Sequence, residues 1–189
     1  AVYFRDPSGR EDYYTLEGKS LRKMFLKSPL RYRRISSNFS RRRFHPILRR
    51  YMPHWGVDYA APPGTPVHAT ADGVVVFRGY KGPNGNMVIL RHRNGYRTYY
   101  LHLSRFARGI RKGKKVKQGQ VIGYVGATGL ATGPHLDYRV RKGRRFVNPL
   151  KLRASNAQPV SRRYWEEFQR VRDRYVRILR EALTRQMAA

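Results

Sequence analysis

The chain has 189 residues, 40% of them hydrophobic, which suits one medium-sized core with terminal attachments. Its 41 Lys and Arg against 11 Asp and Glu give a formal charge of +30, a field that attracts polyanions and is screened over roughly 8 to 10 Å of saline. No cysteine is present, so disulfides and thiolate ligands are excluded and any metal falls to His and carboxylate.

Residues 1–35 mix Tyr, Phe and basic side chains around turn material at Asp6-Pro7-Ser8-Gly9 and Gly18. Tyr13-Tyr14-Thr15-Leu16 has strand composition with little beside it to pack on. The segment reads as an N-terminal extension, either a remnant of a preceding domain or a wrapping arm. Ala1-Val2-Tyr3-Phe4-Arg5 lacks signal-peptide form, and an export signal or anchor is expected outside this stretch. No apolar run approaches the ~20 residues needed to span a bilayer.

Strand signals follow over 66–69, 73–78, 86–92, 96–103, 120–125 and 135–141. Between them stand Asp72-Gly73, Gly82-Pro83-Asn84-Gly85, Asn94-Gly95, Lys112-Gly113 and Lys142-Gly143, the residues tight turns require. The series predicts a mainly β domain over 36–152, built on antiparallel sheet.

Residues 153–189 read as a linker and a helix. Ser161 is the expected N-cap, and Trp165, Phe168, Val171, Tyr175, Ile178, Leu179, Ala182 and Leu183 form an apolar stripe at spacings of three and four. Arginines cover the opposite face. Such a helix fits an anionic membrane surface, or packs its stripe on the domain or on an envelope protein partner.

Six histidines bound the search for ligands: His45, His54, His68, His92, His102 and His135. His54 precedes Asp58 by four residues, with Gly56 between them to let the backbone curve. His135 and Asp137 stand at i and i+2, which places both on one face of a strand. His102 joins them only if its strand pairs alongside. Either pair alone also fits a structural hydrogen bond.

The residues His54-Trp55-Gly56-Val57-Asp58-Tyr59-Ala60-Ala61-Pro62-Pro63-Gly64-Thr65-Pro66-Val67, Ala71-Asp72-Gly73-Val74-Val75, Gly85-Asn86, Asn94-Gly95-Tyr96, His102-Leu103-Ser104, Gly119-Gln120-Val121-Ile122-Gly123 and Thr128-Gly129-Leu130-Ala131-Thr132-Gly133-Pro134-His135-Leu136 occur in this order. Together they resemble the M23 (LytM/lysostaphin-like) zinc metallopeptidases from about Ile35 to Leu150. The resemblance implies a twisted antiparallel sheet with a groove, one Zn²⁺, and cleavage of stem peptides or crossbridges in bacterial peptidoglycan at the cell envelope. It implies His54 and Asp58 as metal ligands and His102 and His135 as the catalytic imidazoles. His45 belongs to a segment that lies near the groove in that family, and Asn86, Tyr99 and Tyr100 are candidates to line it.

The chain departs from the family at the third ligand, where Asp137 replaces the second His of a His-x-His motif. A carboxylate ligates Zn²⁺ at about 2.0 to 2.2 Å. A set of one His and two Asp is more anionic, and is expected to weaken the Lewis acid and to admit harder ions such as Mn²⁺. Asp137 also supports an alternative, a degenerate module that binds wall or activates a separate amidase. Specific nucleic-acid binding is not expected, because the basic residues are spread along the chain without a recognised motif.

Overall fold

The structure, a computed structural model, describes residues 1–32, 34–45, 49–152 and 157–187, except for the side chains of His45 and Asn94. Two compact units result, Phe25–Arg153 and the combination of Ala1–Met24 with Ala154–Ala189. The two terminal segments, read separately from sequence, therefore share one unit.

In the terminal unit, β1 (Val2–Arg5) and β2 (Glu11–Tyr14) form a hairpin. Its turn is closed by Asp6, whose Oδ1 accepts from the Ser8 and Arg10 amides at 2.9 and 3.0 Å, with Gly9 in the left-handed region at φ 81°. The alternation of β1 and β2 sends Val2, Phe4 and Tyr14 inward. There they meet Phe168 of the helix α1 (Trp165–Met187), with ring centroids 5.5 Å from Phe4 and 5.8 Å from Tyr14. This is the packing partner that the N-terminal sequence lacks locally. Ser161 makes no side-chain cap bond; it precedes a 3₁₀ turn over Arg162–Tyr164, and the α-helix begins after it. Beyond Phe168 the stripe residues Tyr175, Ile178, Leu179 and Leu183 are exposed.

The larger unit adds β3 (Arg34–Ser37), β4 (Ser40–His45), β5 (Arg50–His54), β6 (Gly56–Ala60), β7 (Pro66–His68), β8 (Gly73–Tyr80), β9 (Asn86–Arg91), β10 (Tyr96–Phe106), β11 (Lys115–Val116), β12 (Val121–Val125), β13 (His135–Lys142) and β14 (Arg145–Val147). Ten of these form one sheet whose main path runs β11-β8-β9-β10-β13-β6-β3, every pairing antiparallel. β12 branches from β10 and carries β7, β14 pairs with β13, and β4 with β5 forms a separate hairpin.

One face of this sheet holds the core. Val57 and Tyr59 of β6, Tyr100 of β10, and Leu136, Tyr138 and Val140 of β13 are all nearly fully buried there. The phenol of Tyr138 lies 2.9 Å from Thr70 Oγ1, which lies 3.0 Å from the phenol of Tyr100. Buried hydroxyls that satisfy one another in this way avoid the cost of lost hydration. His92 completes the chain through Thr98 at 2.7 Å and belongs to the core.

Candidate metal centre and catalytic cleft

The opposite face of the same strands carries the candidate ligands. Antiparallel pairing sets Asp137 directly across from Asp58, and Arg139 across from Gly56. Period-two alternation then puts His135, Asp137 and Arg139 on the side of the sheet away from Leu136 and Tyr138. His54, at the end of β5, reaches this face from the hairpin. One ligand atom from each of His54, Asp58 and Asp137 falls within 4.8 Å of the others, and all three residues are buried.

Local bonds aim these groups. His54 Nδ1 lies 3.0 Å from the Asn38 carbonyl, so its N–H donates there and Nε2 is the nitrogen presented to the site, a common arrangement for a metal-binding imidazole. Nε2 is 3.0 Å from Asp58 Oδ1 and 3.7 Å from Asp137 Oδ2. These separations bracket the roughly 3.3 Å edge of a tetrahedron with arms of about 2.0 Å. Asp58 Oδ1 is buried without a hydrogen-bond partner, while its Oδ2 accepts from Arg43 Nη1 at 3.2 Å. An orphaned, anionic oxygen beside an imidazole nitrogen fits a small divalent cation.

Charge in the site follows from this crowding. Burial by itself would lower the pKa of His54, but the neighbouring carboxylates Asp137 and Asp58 outweigh it and raise the value to about 9. Burial would raise that of Asp137, and the Arg139 guanidinium and His54 together hold it well below the usual carboxylate range. Two guanidiniums, Arg43 on Asp58 and Arg139 on Asp137, thus offset the excess negative charge expected of a His, Asp, Asp set.

His102 and His135 face each other with ring centroids 4.8 Å apart. His102 would point to the core with Tyr100 if β10 alternated strictly. Instead it adopts φ 62°, and β10 slips its register between Tyr100 and Leu103 against β9. A left-handed non-glycine residue costs of order 1–3 kcal/mol and persists where its surroundings hold it. Here the Thr128 carbonyl accepts from His102 Nδ1 at 2.8 Å, as the Gly133 carbonyl does from His135 Nδ1 at 2.8 Å. Burial lowers the pKa of His102, outweighing the hydrogen bond to the Thr128 carbonyl, which raises it.

The cleft over these groups has a volume of about 460 Å³, and Arg43, Trp55, Asn84, Leu130 and Arg139 share its walls with His54, Asp58, His102, His135 and Asp137. Three candidate lining residues lie elsewhere. Tyr100 is fully buried in the core, which corrects its assignment to the groove. Tyr99 packs on Phe146 at 5.5 Å, and Asn86 bonds Thr128 and Ser104; neither lines the cleft. The His45 side chain lies outside the described residues. Gly56 has another role than bending the chain: a Cβ there would come within 2.2 Å of Asp137 Oδ1. Arg43 and Arg139 are not among the residues expected from sequence, although Arg139 is two residues beyond Asp137 on the same strand face.

Comparison with known proteins identifies the family. Residues 52–149 match peptidase family M23. The chain belongs to that family. Within it, the peptidoglycan DD-endopeptidase ShyC of Vibrio cholerae is 46% identical over 157 residues, covering 83% of this chain and 36% of ShyC. The DD-carboxypeptidase/endopeptidase Mpg of Neisseria meningitidis is 50% identical over 138 residues, covering 72% of this chain and 31% of Mpg. The chain thus spans about a third of the length of these M23 relatives. Among solved structures, a zinc-containing peptidase from Vibrio cholerae superposes with TM-score 0.65 at 39% identity, over 80% of this chain and 46% of that one. The catalytic domain of lysostaphin from Staphylococcus simulans gives 0.55 at 29% identity, over 62% and 89%. The mainly antiparallel sheet with its cleft is the M23 architecture expected from sequence.

Proposed function

We propose that this chain is a metal-dependent endopeptidase that hydrolyses peptide bonds of bacterial peptidoglycan, with one divalent metal, Zn²⁺ in the first place, held by His54, Asp58 and Asp137. The observation that carries the reading is the convergence of those three donors in a cleft where two further imidazoles, His102 and His135, stand together. The names of the relatives ShyC and Mpg point to the same substrate class. The formal charge of +30 suits a protein held on an anionic wall in the envelope.

A bound divalent metal would acidify a water and polarise the scissile carbonyl. The protein's own groups manage the protons. His102 and His135 each keep an N–H at Nδ1 on a backbone carbonyl, leaving Nε2 as the basic nitrogen. One Nε2 accepts a proton from the attacking water, and the imidazolium so formed returns it to the departing amine. The neighbouring imidazole donates to the oxyanion from Nε2 as an imidazolium, with both ring nitrogens protonated. The low pKa of His102 favours the neutral form that a base requires. One water is consumed, one C–N bond breaks, and a carboxylate and an amine result.

A second reading, a module that binds wall and activates a separate amidase, draws on the Arg139 fork that already engages both oxygens of Asp137. Purified sacculi distinguish the two. The endopeptidase releases peptide fragments with new amino termini unaided, and a chelator stops the release. The activator releases material only when an amidase is added.

A further inference from the structure

Arg139 turns back along its own strand onto Asp137. Its Nε donates to Oδ1 at 3.1 Å and to Oδ2 at 3.0 Å, and Nη2 donates to Oδ2 at 2.6 Å. The fork sits over Gly56, its partner in register on β6. A Cβ at that position would meet Asp137 Oδ1 at 2.2 Å and Arg139 Cγ at 2.7 Å, so the pair fills the space which the missing side chain leaves. Asp137 is only 3% exposed, and a carboxylate so placed persists only with a counter-charge and fixed hydrogen bonds. The guanidinium supplies both, and its planar fork restricts the carboxylate in a way a lysine ammonium would not.

We infer that Arg139 is a positioning residue for the metal centre, acting through Asp137 so that the two together form a net-neutral, rotationally fixed third ligand. The inference rests on the metal-site reading above. Oδ2 faces His54 Nε2 at 3.7 Å while the guanidinium grips the carboxylate from the Gly56 side, so the oxygen is held toward the other donors. With Arg139 set against Asp137 and Arg43 against Asp58, each carboxylate of the site carries its own counter-charge. Positions 137 and 139 therefore form one functional unit. Asp137→His made alone strands a largely buried guanidinium next to an incoming dication, and the companion change Arg139→Gln relieves it.

The test is titration of the metal-free protein with Zn²⁺ by calorimetry and with Co²⁺ by visible absorption, for the wild type, Arg139→Met, Arg139→Lys, Asp137→His and Asp137→His/Arg139→Gln. Melting of each metal-free protein checks folding. Arg139→Met is expected to lose about 10–100-fold in metal affinity, the usual effect of removing an outer partner of a ligand, and to change the Co²⁺ spectrum. Arg139→Lys recovers part of the affinity. The double variant binds more tightly than Asp137→His alone, a comparison that stands even if Arg139→Met fails to fold. Unchanged or tighter binding by Arg139→Met with an unaltered spectrum overturns the role, as does Asp137→His binding no more weakly than the double variant. A wild type that takes up no metal overturns the metal-site reading itself, an outcome distinct from these.

Discussion

His54 Nε2 and Asp58 Oδ1 lie 3.0 Å apart, yet Asp58 Oδ1 has no aligned hydrogen-bond donor. His54 is oriented from behind by Asn38 and Asp58 by Arg43, an arrangement that suits the proposed metal site.

The pH dependence of the metal-free protein follows from His54. Its pKa rises from 6.5 to about 9 on folding, so the associated stability is fully present below pH 6.5 and is lost as pH climbs through 9. Metal must displace the same proton, so apparent metal affinity climbs over that window. Melting curves with chelator from pH 6 to 9.5 should show Tm falling for the wild type and a flatter profile for His54→Gln. Equal slopes would refute the assignment.

His102→Ala and His135→Ala are each expected to lower kcat by about 10²–10⁴ while leaving one metal per chain, because neither imidazole is in the donor triad. Metal analysis beside hydrolysis rates checks this. Loss of metal from either variant would move that histidine into the ligand set.

Gly56→Ala should impair the site more than the fold. The added methyl collides with the Asp137 and Arg139 side chains and with the Tyr138 carbonyl, so metal affinity is expected to drop at least tenfold, comparable to losing an outer partner. Calorimetry gives the affinity, and circular dichroism shows whether the sheet survives.

Much of this was legible in the sequence. Six strand signals correspond to β7, β8, β9, β10, β12 and β13, because alternation and Gly turns are local properties. The hairpin of β4 and β5 was hidden by its charge-rich composition, and β11 and β14 by their brevity. The shared core of the two termini depends on Phe4 and Tyr14 meeting Phe168, a contact far apart in the chain with no local signature. In the site, the spacing of His135 and Asp137 gave their common face. Arg43 and Arg139 gave no contrast among 41 basic residues. The placements of Tyr100 and His102 depend on where β10 slips its register, which composition does not mark.

The most direct measurement pairs metal content with peptide release from purified sacculi, for the wild type and for Asp58→Asn. We expect one divalent metal per chain and chelator-sensitive release from the wild type, and at least a hundredfold loss of both metal affinity and release in Asp58→Asn. A wild type that carries no metal and releases nothing, or an Asp58→Asn variant that still cleaves without metal, would contradict the account.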